Sequence, residues 1–133
     1  MKSLRPIPNP TYAICNKKGL KYLTRLRLRL SHLREHKFKH NFQDTINPLC
    51  NCSLSVESIE HYFLDCANFN DHRHVLMNSL FNIDNSFINM PNKELINLLL
   101  YGNPKFSNQI NHQILSASIF YILSTNRFDE NSI

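Results

Sequence analysis

Three of the four cysteines in this 133-residue chain fall within residues 50–66, in the order Cys50-x-Cys52, eight residues, His61, four residues, Cys66. No other feature restricts the fold as much, because it predicts a point of convergence round which neighbouring segments must wrap. Thiolates and imidazole are ligands that zinc favours, and a Cys3His set fills four tetrahedral positions with none left open, as a structural ion requires. Asn47-Pro48 marks a turn just ahead of the pair, where backbone can fold round an ion. His61 falls on a predicted short helix over 57–64, with Ile59 and Phe63 four apart and acids in its first turn. An ideal helix would rotate positions 61 and 66 about 140° apart, so the chain is expected to leave the helix before Cys66. His72 and His74 stay open as alternatives to His61. The competing reading is a set of small buried thiols beside an ordinary histidine. Cys15 stands apart and reads as a free thiol. Residues 1–12 carry three prolines and no apolar segment, unlike a secretory signal, so the expected setting is intracellular. There thiols stay reduced and clustered cysteines are more often ligands than disulfides, and the Asn51-Cys52-Ser53 sequon is set aside.

Round this segment the apolar spacing is helical. Leu20, Leu23, Leu26, Leu30 and Leu33 form one stripe, and its length favours helix over the strand that Arg25 to Leu30 would make by strict alternation. Ser31 is a point where a second helix can start, running through Leu33 and Phe38 to about Asn41. Asn70 or Asp71 can cap a helix bearing Val75, Leu76, Leu80 and Ile83. Pro91 opens another through Leu95, Ile96, Leu98 and Leu99, closed by Gly102 and Pro104. The last, over 106–128, carries Ile110, Ile114, Ala117 and Tyr121. Ile119, Phe120, Ile122 and Leu123 make its second half apolar all round, so that half should be buried.

The expected fold is all-α, a small helical domain with a zinc-organised irregular turn between a basic helical pair and a helical tail. Its divisions are a proline-rich tether over 1–18 (Pro6, Pro8, Pro10), basic helices and the metal segment over 19–83, and a tail over 84–133 packing on them. No apolar run reaches the ~18 residues of a membrane span, and two glycines are too few for a phosphate-cradling glycine loop.

Charge is unevenly spread. Residues 1–40 hold eleven Lys/Arg against the single acid Glu35, a net +10, while the remaining residues carry a net −5, giving +5 for the chain. Lys21, Arg25 and Arg29 run along one side of the first helix at helical spacing, and His32 and His36 continue the line. Arg27, Arg34 and Lys37 add to the same region. Such an imbalance fits a polyanionic partner, RNA or DNA held through its phosphate backbone, or else an acidic protein. Tyr22, Phe38 and Phe42 are assigned to core packing, with stacking on unpaired bases as the alternative.

Leu23-Thr24-Arg25-Leu26-Arg27, Ser31-His32-Leu33, Pro48-Leu49-Cys50-Asn51-Cys52 and the run from Glu57 to Cys66 together resemble the carboxy-terminal segment of non-LTR (LINE-type, jockey-like) retrotransposon reverse transcriptases. In that family a basic helix precedes a Cys-x-Cys, Glu-His-x4-Cys zinc motif. The resemblance covers about 20–81. It implies zinc on Cys50, Cys52, His61 and Cys66, nucleic-acid binding in support of reverse transcription, and the rest of such a polymerase as a partner. The chain has no Asp-Asp pair to hold two divalent ions and is too short for a polymerase palm and fingers. What the resemblance implies is therefore a detached, non-catalytic tail.

One motif points elsewhere. His32-Leu33-Arg34-Glu35-His36 matches the H-x-x-E-H pattern of inverted zinc peptidases, and on a helix His32 and His36 would share a face. Arg34, Lys37 and Lys39 surround it with positive charge that opposes a divalent cation, which favours a solvated or phosphate-facing helix instead.

Overall fold

The computed structural model describes residues 16–129. Most of the expected tether, and Cys15 with it, lies outside the described residues. The helices are α1 (Lys17–Arg27), α2 (Arg34–Lys39), α3 (Asn70–Ile83), α4 (Asn92–Tyr101) and α5 (Asn108–Thr125). A π-helical turn at His61–Asp65 and 3-10 turns at Ala67–Phe69 and Asn85–Asn89 connect them. The fold is all-α. Among the described residues the only extended pairing is an isolated antiparallel bridge between Leu49 and Val56.

Helix α1 starts at Lys17, before the expected end of the tether, because the Asn16 side chain accepts the Gly19 N–H at 2.8 Å and caps it. It buries Gly19, Tyr22, Leu23 and Leu26, one face at helical spacing. The predicted stripe stops there. Leu30 N–H donates to Arg25 O at 2.8 Å and Arg29 N–H to Leu26 O at 3.1 Å, with Arg29 left-handed at φ 58°. That is a Schellman ending, usually made by glycine. Leu30 is consequently exposed, as is Leu20 near the helix start, and Leu33 reaches the core from a separate extended stretch.

Helix α2 begins at Arg34, three residues after Ser31, and closes with the same motif. Phe42 N–H donates to Lys37 O at 3.0 Å and Asn41 N–H to Phe38 O at 3.1 Å, with Asn41 at φ 61°. Both basic helices therefore end on left-handed residues other than glycine.

Helix α5 is the centre of the fold, with α1, α3 and α4 packed round it. Ile114, Ser116, Ser118, Ile119, Tyr121 and Ile122 are buried on several of its sides, as an all-round apolar half predicts, although Phe120 stays partly open. Gly19 allows the close approach of α1, since a Cβ there would run into the Ile119 methyl. The residue before α3 is Phe69, which makes no side-chain cap, since Asn70 and Asp71 are already helical; the helix buries Leu76 and Leu80 and turns Val75 outward. Helix α4 opens at Pro91 and closes at Gly102, whose φ of 70° suits glycine.

Candidate metal centre

Residues 48–57 form a tight knuckle. Glu57 N–H donates to Pro48 O at 2.8 Å, Cys50 N–H to Ser55 O at 2.9 Å and Ser53 N–H to Cys50 O at 2.8 Å. Ser53 is left-handed at φ 66°, which reverses the chain directly after Cys52. The next segment departs from the expected α-helix over 57–64. Two α-helical residues give way to the π turn, in which Cys66 N–H donates to His61 O at 2.8 Å, five residues back. The wider turn brings positions 61 and 66 to one side, where a regular helix would have set them apart. The chain leaves helical geometry at Cys66 itself, with φ −67° and ψ 124°.

Widening the turn frees carbonyls, and side chains from other elements take them up. Tyr121 hydroxyl donates to Tyr62 O at 2.6 Å. Arg73 donates from Nε to Phe63 O at 3.2 Å and from Nη2 to Cys66 O, while Asn70 Oδ1 accepts from its Nη1 at 2.7 Å. Tyr62 and Phe63 anchor the segment in the core, the Tyr62 ring centroid lying 5.0 Å from Phe63 and 5.2 Å from both Tyr121 and Phe128. Burying two such rings contributes roughly 2–3 kcal/mol each, so packing and the π turn hold the ligand positions together.

The ligand atoms of Cys50, Cys52, His61 and Cys66 all lie within 4.8 Å of one another, so the group can hold a metal ion. Cys50 Sγ is 3.7 Å from Cys66 Sγ, and Cys52 Sγ is 3.2 Å from His61 Nε2. Metal–sulfur bonds of about 2.3 Å at tetrahedral angles would separate two sulfurs by about 3.8 Å. His61 supplies the nitrogen; neither His72 nor His74 joins the group. Ser55 Oγ lies 2.8 Å from His61 Nδ1, and in the tautomer protonated at Nδ1 it accepts that N–H as a hydrogen bond and leaves Nε2 free to ligate.

Burial pushes the Cys50 thiol up to about 12 and raises Cys66 as well. Cys52 is lowered, chiefly by the backbone N–H of Leu54. A divalent cation among them would favour every thiolate at once, because coordination deprotonates a thiol outright.

The basic residues divide by what they touch. Lys21 and Arg29 are exposed and Arg25 is partly so, with Lys21 Nζ 5.4 Å from the Tyr22 ring centre. Arg27 is turned inward: its Nε donates to Leu100 O at 2.6 Å, its guanidinium lies 5.4 Å from the Tyr101 ring centre, and burial lowers its pKa. Arg34 Nη2 donates to Asn47 O at 3.2 Å, and Lys37 Nζ pairs with Asp44 at 2.7 Å. His32 is half-buried. Tyr22 is buried, as its core assignment requires, whereas Phe38 and Phe42 are exposed.

The H-x-x-E-H residues do not converge. His32 precedes α2, and His36 is buried with Nδ1 2.6 Å from Ser31 Oγ. Among the described residues they form no group able to hold a metal.

Sequence reasoning missed Ser55, Arg73, Tyr121 and the pair Glu57–Arg127 that supports the knuckle. Tyr121 and Arg127 act on partners 59 and 70 residues away, and Ser55 and Arg73, though nearer their partners, carry no spacing that marks them. No protein-family model, curated protein or solved structure matches the chain. The resemblance to retrotransposon tails therefore rests on the motif residues themselves.

Proposed function

We propose that this chain is a non-catalytic zinc module that lies along the phosphate backbone of RNA or DNA, as the resemblance to a detached reverse-transcriptase tail implies. The observation that carries the reading is the convergence of three sulfurs and one imidazole nitrogen on a single point, in a knuckle whose Glu57 and Asn47 hold Arg34 at the start of basic α2. Zinc is the ion this donor set favours, and four protein ligands leave it no open position for chemistry. Its role is to join the knuckle to the π turn. Lys21, Arg25 and Arg29 reach the phosphates, while Arg27, Arg34 and Lys37 stiffen the scaffold. Reduced thiols as ligands fit an intracellular setting, and the remainder of a reverse transcriptase is the partner that the resemblance suggests.

Metal content and nucleic-acid binding test the two halves. One zinc per chain is expected in the purified protein, lost on chelation and lost in Cys50→Ser/Cys52→Ser/Cys66→Ser. Stoichiometric zinc in that triple variant overturns the metal reading. Binding to labelled oligonucleotides should weaken steeply with salt, each neutralised phosphate contributing about −0.7 to the log–log slope for single strands and about −0.9 for duplex. Arg25→Glu/Arg29→Glu should flatten that slope with zinc content and helicity unchanged. No binding at ~50 mM salt, where such contacts are strong, overturns the nucleic-acid reading.

A protein partner is the second reading, favoured by the apolar rim of the knuckle. Ile46 is 83% and Leu54 78% exposed, beside the partly exposed bridge partners Leu49 and Val56. Partner binding insensitive to salt would support it.

A further inference from the structure

Two large aromatic rings face solvent in the most basic part of the molecule. Phe38 and Phe42 are 43% and 48% exposed, and every residue over 38–44 is open to solvent. Their setting is fixed by the backbone: the Schellman ending of α2 folds the chain back at Asn41 and lays Phe42 against Lys37, with the Lys37 ammonium 5.7 Å from the ring centre. Lys39 and His40 follow Phe38 and are exposed, as are the amide side chains of Asn41 and Gln43.

The end of α1 lies close by: Ser31, two residues after Arg29, directs its N–H to His36 Nδ1 at 3.3 Å, and the charges of Arg29 and Lys39 both act on that buried ring. Burying Phe38 or Phe42 would stabilise the fold by roughly 2–3 kcal/mol each, yet the structure leaves both open. A duplex presents mainly phosphates to such a surface, with its base faces stacked away. An unpaired strand presents phosphates and π faces together, and aromatic side chains between cations answer both.

We propose that Phe38 and Phe42, beside Lys37, Lys39 and the end of α1 at Arg29, form a stacking platform for the bases of a single-stranded nucleic acid. The inference rests on the proposed nucleic-acid reading and goes beyond it, since phosphate contact alone gives no preference for unpaired strands. Asn41 and Gln43 stand where amides can reach base edges, and Arg29 and Lys39 where they can meet phosphates.

The test compares a fluorescently labelled oligo(dT) strand with a blunt mixed-sequence duplex of equal phosphate number, using the zinc-loaded full chain. The single strand should bind about tenfold more tightly or better, given what stacking contributes per base. Phe38→Ala/Phe42→Ala should remove that preference and leave duplex affinity and its salt slope unchanged; both rings are exposed, so zinc content and helicity report that the variant folds. The chain has no tryptophan, so Phe42→Trp installs a single tryptophan at the platform, excited selectively at wavelengths where the tyrosines do not absorb. It should be quenched by oligo(dT) and not by duplex, while oligo(dT) affinity is retained. Equal affinity for strand and duplex, an unaltered preference in the double alanine variant, or an unquenched Trp in a saturated complex each overturns the platform while leaving phosphate binding standing. Absence of binding to either probe overturns both readings together.

Discussion

Arg127 donates from Nε and Nη2 to the two carboxylate oxygens of Glu57, at 2.7 and 2.6 Å, across seventy residues of chain. The same guanidinium donates to His32 O at 3.0 Å, and Glu57 Oε1 also accepts the N–H of Arg34 at 2.8 Å. The knuckle, the entry to α2 and the end of the chain's last helix thus meet at one buried ion pair. The Glu57 side chain is only 4% exposed, so its oxygens are satisfied by these partners rather than by solvent.

Arg127→Met should therefore destabilise the protein by about 3 kcal/mol, the usual result of stranding one member of a buried pair. Glu57→Gln/Arg127→Met should recover part of the loss, because no unpaired charge then remains. Urea unfolding of the two variants beside the parent checks the order. Equal stability of the single variant and the parent would show that solvent, rather than Arg127, satisfies Glu57.

Gly19→Ala should destabilise although alanine is the better helix former. The gain in propensity is about 1 kcal/mol, but the new methyl meets the fully buried Ile119 side chain, with Leu123 Cδ1 3.4 Å away. Overpacking of this kind costs about 1–3 kcal/mol. A lowered midpoint in thermal unfolding is expected. Gly19→Ala/Ile119→Val should regain stability relative to Gly19→Ala.

Arg29→Gly should act in the opposite direction on stability. Arg29 holds φ 58° at the end of α1, a conformation costing an L residue roughly 1–2 kcal/mol and glycine almost nothing. A stabilisation of about 1 kcal/mol is expected, offset in part by the greater entropy of the unfolded chain. Binding to oligo(dT) should weaken in the same variant. Higher stability with lower affinity in one protein would separate the backbone role of this position from its charge.

His36 makes stability depend on pH. Its folded pKa, about 4, lies below the ordinary 6.5, through burial first and then the nearby Arg29, Lys39 and His40, with Glu57 opposing. The unfolded chain therefore binds the proton more readily. Stability should be flat with respect to this group above about pH 6.5 and fall as pH drops toward 4, by up to about 3 kcal/mol. His36→Gln loses the Nδ1–Ser31 contact and should be less stable than the parent at pH 7.5. The difference should narrow as pH is lowered, and a constant gap between pH 7.5 and 4.5 would refute the assignment. Comparing the two proteins at each pH cancels the acid-driven loss of metal that both share.

Local pattern made much of this molecule legible. The spacing of Leu23 and Leu26, of Leu76 and Leu80, and of Leu95, Leu98 and Leu99 predicts helices with the faces they bury, because a helix repeats every few residues whatever lies beyond it. Cys50, Cys52, His61 and Cys66 announce a group able to hold a metal by their type and spacing. The end of α1 is less legible: Arg29 stops it without the glycine that usually signals a stop, so the leucine stripe runs on past the helix, whereas α2 ends close to Asn41 as its pattern predicts. Tertiary structure decided what depends on distant partners. The π turn that aligns His61 with Cys66 has its freed carbonyls met by Arg73 and Tyr121, and no spacing within the motif specifies those donors. The same holds for charge: Arg27 and Arg29 are alike in sequence, yet Leu100 and Tyr101 draw Arg27 inward while Arg29 remains in solvent. A side chain's type and spacing are local properties, but its partners are set by the packing of segments far apart in the chain, and it is partners that decide which groups stay available for a ligand.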